Sequence, residues 1–501
     1  MRLRESLFFI ALIVVVLLPL PIFSMFYNTL HSEQGFSLSL YSQVFDVRLG
    51  QSFLNSLALA LLVALFTTII GTLLAILFTK TSLPFSNFFL SIFITPLLIP
   101  PYILAFSWFE LIGRDGVLGE LLFGFWGTAF VLFWVYLPIP ILLVSLFLTQ
   151  IEPKLEESAL LLSNWRGVLR QITIPLISPA IVLSSLLVFI LTFGEFSVAN
   201  FLRYPIFPME SFTQFSAFYD FKMATVTAMP MLLMALIIKW LIDKYTFNYR
   251  FKSSQKIKKI EINRYRFVIL FILIGLAILV TLPLALLVVH TDVDNFLLAW
   301  ERGFDPLMRT LLYALIGATL LMVFGFWVGY IIEKRYKFFE GTLLFLFITP
   351  ATVIGIGLTL FWNNSWSNWL YGTPLIILLG YLTKYLFLTS KIAQIRLSQI
   401  PSSMVESAQL TGATWSQIIW NITLPLSRKS LVLMWLIGFI FSLRETTMTM
   451  LVYPASNDTL PIYIFTQMAN GDPKIIAALC LIMVGVVLLP LGIYILWRLA
   501  R

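Results

Sequence analysis

The sequence predicts an all-α integral membrane protein of about twelve transmembrane helices, arranged as two parallel six-helix repeats. Three observations carry this. Of the 501 residues, 59% are hydrophobic and 11% charged, whereas a soluble domain averages about 45–50% and about 25%. Mean hydropathy is +0.94. Apolar runs of span length, roughly 20 residues, recur along the chain. Short motifs reappear in the same order about 250 residues apart, for example Trp165 with Trp415 and Pro175 with Pro425.

The apolar runs lie near 7–27, 53–78, 88–110, 126–148, 177–200, 223–243, 267–289, 310–332, 341–362, 373–389, 430–452 and 475–497. They do not alternate, so of the two folds that satisfy every backbone group in lipid, helix and closed barrel, they select the helix. Met1-Arg2-Leu3-Arg4 precedes a run that contains Pro19 and Pro21, with no small-residue cleavage site after it. It is expected to be a retained first span rather than a signal peptide.

Orientation follows from the basic residues. With the N-terminus cytoplasmic, about 23 of the 33 Lys and Arg fall in loops and ends on the inner side, as the positive-inside rule requires. Both termini are then cytoplasmic. The net charge of +9 is thus a topology signal. The basic residues are dispersed and no nucleic-acid motif is present. The densest basic segment, Lys244 to Arg266, is expected to lie against anionic lipid headgroups. It divides the chain into a first half, 1–247, a linker, 248–265, and a second half, 266–501.

Several matches support the duplication: "RLR" at 2–4 with "RYR" at 264–266, "LPL" at 18–20 with 282–284, "FITP" at 93–96 with 347–350, and "FTQ" at 212–214 with 465–467. An even number of spans per half gives both halves one orientation, unlike the inverted repeats of many secondary transporters. Both polar segments, "LEESALLLSNWRGVLRQITIPL" from Leu155 and "VESAQLTGATWSQIIWNITLPL" from Val405, then face the cytoplasm.

The second polar segment reads as two short helices around a tight turn. Ser403 and Glu406 have capping-box spacing. Gly412 permits positive φ and can end the first helix. Thr414 can cap a second helix from Trp415 to Ile422, and Pro425 marks the start of the next span. The product is an elbow on the cytoplasmic face whose exposed side, with Glu406, Gln409 and small residues, suits docking to another protein. An ordinary interfacial loop helix is the alternative, and the second copy at an equivalent place weighs against it.

Glu406-Ser407-Ala408, then Gly412, then "ITLP" at 422–425 resembles the EAA loop of ABC importer permeases, with serine for one alanine. The first copy is degenerate. Glu156 keeps the distance to Pro175, whereas Glu157-Ser158-Ala159 keeps the tripeptide, and Leu162 or Ser163 stands at the glycine position. Two such copies with six spans each resemble the fused permeases of ferric-iron, thiamine and related importers, over nearly the whole chain. The resemblance implies a bacterial inner-membrane permease whose two elbows dock on a cytoplasmic ABC ATPase dimer, with a periplasmic binding protein delivering substrate, most specifically ferric iron. Thiamine, polyamine or phosphonate is the alternative cargo, and an ATP-independent secondary transporter is the alternative class. It further implies alternating access driven by a partner that holds ATP and magnesium, no cofactor in this chain and no enzymatic activity. No G-x-x-x-x-G-K-[ST] phosphate loop occurs here.

The stretch Ser442–Phe465 is similar to one in ferric-iron permeases. Glu195 and Glu445 are 250 residues apart, and ionisable residues in spans are costly and face a cavity or a partner. Arg444 and Glu445 either line the pathway or hold helices together at the outer end. Lys239 and Lys384 are expected to snorkel near cytoplasmic ends. His31 and His290 are isolated in outer loops and no metal site is expected. The one cysteine, Cys480, reads as a small core residue.

Overall fold

In a computed structural model of the chain, residues 12, 14–32, 35–36, 40–42, 47–112, 117–246, 259–262, 265–333 and 337–499 are described. Most of the expected linker lies outside them. Apart from a short antiparallel pair, His31–Ser32 with Gly35–Phe36, the regular elements among the described residues are helices.

Among the described residues, eight helices are long and apolar enough to cross a membrane: Val47–Lys80, Phe125–Leu148, Trp165–Phe193, Phe221–Tyr245, Arg266–Val289, Val293–Glu333, Leu375–Ser398 and Trp415–Arg444. Two of the twelve expected spans are broken. Ser86–Leu98 meets Pro101–Ile112 at 104°, and Phe338–Ile348 meets Ala351–Trp362 at 104°. The cause is local. Ile99, before Pro100 and Pro101, is extended (φ −92°, ψ 146°), because the residue before proline is pushed out of the helical region. At the second break the extended residue is Pro350 itself (φ −53°, ψ 142°), the cap of Ala351–Trp362, and it has no N–H to continue the preceding helix. Val14–Leu30 and Pro473–Leu489 are shorter apolar helices.

The bends show that "FITP" aligns the halves four residues out of register. Pro350 sits at its break, but Pro96 lies inside Ser86–Leu98, and the structural counterpart of Pro350 is Pro100. Elsewhere the 250-residue spacing holds closely: Trp165–Val168 matches Trp415–Ile418, and the π turns Leu169–Thr173 and Ile419–Thr423 match each other.

The longest helix of each half carries a stripe of small residues. Ser52, Ser56, Ala60, Thr67, Gly71 and Ala75 are buried on Val47–Lys80, and Gly303, Thr310, Ala314, Gly317, Gly325 and Gly329 on Val293–Glu333. Small residues let backbones approach without a hydrophobic driving force in lipid. The first stripe packs on Phe125–Leu148 and Trp165–Phe193, the second on Leu375–Ser398 and Trp415–Arg444. The opposite face of Val47–Lys80 exposes Leu54, Leu61, Leu65 and Leu73, as a lipid-facing surface does.

First helices cross between halves. Leu20–Leu30 packs on Ala351–Trp362, and Arg266–Val289 packs on Pro101–Ile112. Tyr102 donates to the Pro461 carbonyl at 3.0 Å.

Candidate functional site

Between the halves lies a cavity of about 1670 Å³. At one end its walls are Glu333, Lys391 and Ser398, where Val293–Glu333 and Leu375–Ser398 finish beside the elbows. At the other end are Tyr136, Glu195, Lys384, Tyr385, Arg444 and Glu445. Arg444 closes a helix that starts at Leu424 and so lies about 30 Å from the elbow end at 1.5 Å per residue, whereas Lys384, inside Leu375–Ser398, lies about 20 Å from it.

Glu195 and Glu445 follow the ends of equivalent helices and do equivalent structural work. Glu195 accepts from the Ser197 amide at 3.0 Å, the Ser197 hydroxyl at 2.6 Å and the Val198 amide at 3.0 Å. It thereby satisfies the orphan donors of the short helix Ser197–Phe201. Glu445 accepts from the Met448 amide at 2.9 Å and from the Tyr385 hydroxyl. Arg444 forms no ion pair with Glu445. Its guanidinium lies 5.5 Å from the Phe441 ring centroid, and its buried Nη1 has no hydrogen-bond partner.

Lys384 corrects the sequence reading. It does not snorkel; it is buried in Leu375–Ser398 and donates to the Thr349 carbonyl. The break at Pro350 explains why. It leaves the last carbonyls of Lys337–Ile348 without helical partners, and a cation is favoured at a helix C-terminus. Lys239 sits near its helix end but pairs with Asp243 at 2.6 Å and faces the cavity. His290 is not isolated, since its Nδ1 lies 3.6 Å from Glu110. His31 makes a two-residue strand contact with Phe36. Cys480 is fully buried. No group of three or more His, Cys, Asp or Glu able to hold a metal occurs among the described residues.

The second elbow is Ser402–Leu410, a turn, then Trp415–Ile418. Gly412 has φ +83° and completes a Schellman motif: its N–H donates to Gln409 O at 3.0 Å and that of Ala413 to Ala408 O at 3.0 Å. The capping box forms at a different place from the expected one. Ser403 lies inside its helix, behind Pro401 as the cap residue with no side-chain cap. The reciprocal pair is Thr414 with Gln417. Pro401 itself fixes the helix start, which carries Ser403 two positions past the cap.

The helix after Thr414 does not stop at Ile422. It runs on through a π turn, Ile419–Thr423, into Leu424–Arg444. Pro425 lacks an N–H and its ring would strike the carbonyl four residues back. The wider π turn, closed by Leu424 N–H to Ile419 O, removes that conflict. Leu169–Thr173 does the same before Pro175. The first elbow turns without a left-handed residue, through Leu162 N–H to Ala159 O at 3.1 Å and Ser163 N–H to Ala159 O at 2.9 Å.

The acidic residues of the elbows differ. Glu406 is exposed, as are Ser407 and Gln409, and Ala408 is half-buried. In the first elbow Glu157 and Ser158 are exposed and Ala159 half-buried. Glu156 is fully buried and lies 2.6 Å from Lys80. Two features escaped the sequence reading. Lys80, at the end of an apolar run, gave no local signal of a partner 76 residues away. Leu161, Leu162 and Leu410, exposed by 87%, 92% and 89%, stand at the elbow tips and were indistinguishable from core leucines.

Residues 321–498, spanning the second elbow, match the family described as binding-protein-dependent transport system inner membrane component. The molybdenum transport system permease protein ModB of Escherichia coli is 30% identical over 157 residues, 29% of this chain and 68% of ModB. The chain belongs to this permease family. The ferric transport system permease protein FbpB of Actinobacillus pleuropneumoniae is 24% identical over 481 residues, 85% of this chain and 68% of its own. The Fe(3+)-transport system permease protein FbpB 2 of Haemophilus influenzae is 23% identical over 505 residues, 95% of each chain. The similarity therefore extends over both halves, and the permease is a fused, multi-pass inner-membrane subunit of the ABC type rather than an enzyme.

Proposed function

We propose that the permease carries ferric iron inward by alternating access, receiving it from a periplasmic binding protein and driven by a separate cytoplasmic ATPase dimer that holds ATP and magnesium. The observation that carries the cargo is the end-to-end similarity to an Fe(3+)-transport permease, 95% of each chain. The elbows Pro153–Leu160 with Trp165–Val168 and Ser402–Leu410 with Trp415–Ile418 are the docking segments. Both termini and both elbows face the cytoplasm. The cavity, walled at one end by residues beside the elbows, corresponds to an inward-facing state. Radiolabelled iron uptake by cells carrying the permease with its partner genes tests the cargo, with labelled molybdate, thiamine and putrescine as competitors. Accumulation of iron unaffected by the competitors is expected; accumulation of one competitor in its place contradicts the iron assignment.

Glu195, Arg444 and Glu445 line the outer end of the pathway. Glu445→Gln keeps one acceptor but removes the charge that receives the Tyr385 hydroxyl. Uptake is expected to fall about tenfold, the loss of one charge-assisted interaction, with co-purification of the ATPase unchanged. Equal loss of both assigns Glu445 to structure alone.

The halves 1–247 and 266–501 act as two units joined by 248–265. Co-expression of the halves as two fragments cut in that linker is expected to give an assembled, active permease. Correctly inserted fragments that fail to associate contradict the two-unit reading.

A further inference from the structure

We propose that Lys80 and Glu156 form an internal latch that fixes the first elbow to the body of the permease, leaving Glu157 as the carboxylate that this elbow offers to an ATPase. The proposal rests on the reading of the elbows as docking segments. By the 250-residue spacing Glu156 is the counterpart of Glu406, yet the two carboxylates have opposite fates.

Lys80 Nζ lies 2.6 Å from Glu156 Oε2, and each side chain is 1% exposed. Thr173 donates its hydroxyl to the other carboxylate oxygen at 2.9 Å. Both oxygens of Glu156 are therefore engaged inside the protein. Thr173 ends the π turn Leu169–Thr173. One carboxylate thus ties together the end of Val47–Lys80, the leading helix Pro153–Leu160 and the turn that carries the elbow into the membrane.

A fourth segment is fastened at the same place. The Ile260 N–H donates to the Lys80 carbonyl at 2.6 Å, and the Ser82 N–H donates to the Ile260 carbonyl at 3.0 Å, making a parallel bridge of Thr81 with Ile260. The chain between the halves is therefore pinned beside the latch, and it covers a carbonyl that the helix end leaves without an intrahelical partner.

A carboxylate so enclosed cannot reach a cation on a partner without stranding Lys80 in a dry site, and an unpaired buried charge is strongly disfavoured. Glu157 is one residue further along the helix, a rotation of about 100°, and is exposed. In the second elbow the leading helix Ser402–Leu410 has no buried residue. That elbow is anchored through its second helix, where Trp415 Nε1 donates to the Tyr330 hydroxyl at 3.1 Å. The two elbows are mechanically unequal: the first moves with the body, and the second has a leading helix free to pivot at Gly412.

The test uses the full-length permease in nanodiscs, spin-labelled through Leu161→Cys or Leu410→Cys; the native Cys480 is fully buried. The label at 161 is expected to be less mobile than that at 410. Lys80→Met with Glu156→Gln removes both charges together, so no buried charge is stranded and the fold is kept. It is expected to raise mobility at 161 severalfold and leave 410 unchanged. The exchange Lys80→Glu with Glu156→Lys is expected to restore the immobile spectrum. Unchanged mobility at 161 in the neutral pair, or an equal rise at both labels, overturns the latch. In the complex with its ATPase, Glu157→Lys is expected to lower stimulated ATP hydrolysis about tenfold, and retention of full stimulation overturns the Glu157 assignment. Spectra as expected, with no stimulation even in the wild type, count against the docking reading and leave the latch standing.

Discussion

Gly329→Leu is expected to abolish recovery of folded permease. Gly329 lies where Val293–Glu333 crosses Leu375–Ser398, the most intimate helix pair of the second half. A Cβ there would sit 2.6 Å from the Ser390 carbonyl oxygen and 3.0 Å from the Gln394 amide nitrogen. Both are backbone atoms and cannot rotate away. Overpacking a core costs about 1–3 kcal/mol where side chains can shift, and a Cβ against backbone, with the three further carbons of leucine beyond it, costs more. Gly325, one turn earlier, meets Thr389 at 2.3 Å, so the helices cannot slide apart at one point alone. The control is Gly275→Leu, on an exposed face with no atom within 4 Å of its Cβ position. Monodisperse protein after detergent extraction is expected for Gly275→Leu and not for Gly329→Leu; comparable yields contradict the small-residue packing account.

Glu406→Lys is expected to leave insertion and yield unchanged and to reduce substrate-stimulated ATP hydrolysis roughly ten- to hundredfold, the equivalent of about 1.5–3 kcal/mol for a hydrogen bond to a charged group. Glu406 is exposed and not in the first turn of Ser402–Leu410. The loss therefore comes from the partner contact and not from a helix cap or dipole. Glu156→Lys is a different kind of change. It places a second cation against Lys80 in a closed site, so its expected defect is in folding. The two neighbouring glutamates of the first elbow are thus not interchangeable, although adjacent in sequence. Membrane levels by blot with ATP hydrolysis of the reconstituted complex separate the cases.

What the sequence revealed and hid has physical reasons. Membrane class and helical fold follow from composition and run length, because lipid leaves the backbone few choices. The turn at Gly412 and the cap at Thr414 were legible because each is a local motif with a residue-type requirement. The bends were not read, although Pro100, Pro101 and Pro350 were in plain view, because apolar runs continue across them and hydropathy is blind to backbone direction. Lys384 was misplaced for the same reason: its acceptor is a carbonyl freed by the break at Pro350, a partner 35 residues away. The contrast between Glu156 and Glu406 needs Lys80, whose position relative to the elbow only packing determines.

The central claim is that transport is powered through the elbows by a separate ATPase. Its most direct test is ATP hydrolysis and iron uptake in proteoliposomes containing the permease, its ATPase and loaded binding protein, with wild type compared with the double change Glu157→Lys and Glu406→Lys. The account predicts that the wild type hydrolyses ATP faster when loaded binding protein is added and takes up iron only with ATP present. The double variant, inserted at the same level, is predicted to do neither. Uptake by the permease alone, driven by an ion gradient without ATP and unaffected by the elbow changes, would contradict the account and make the chain a secondary transporter.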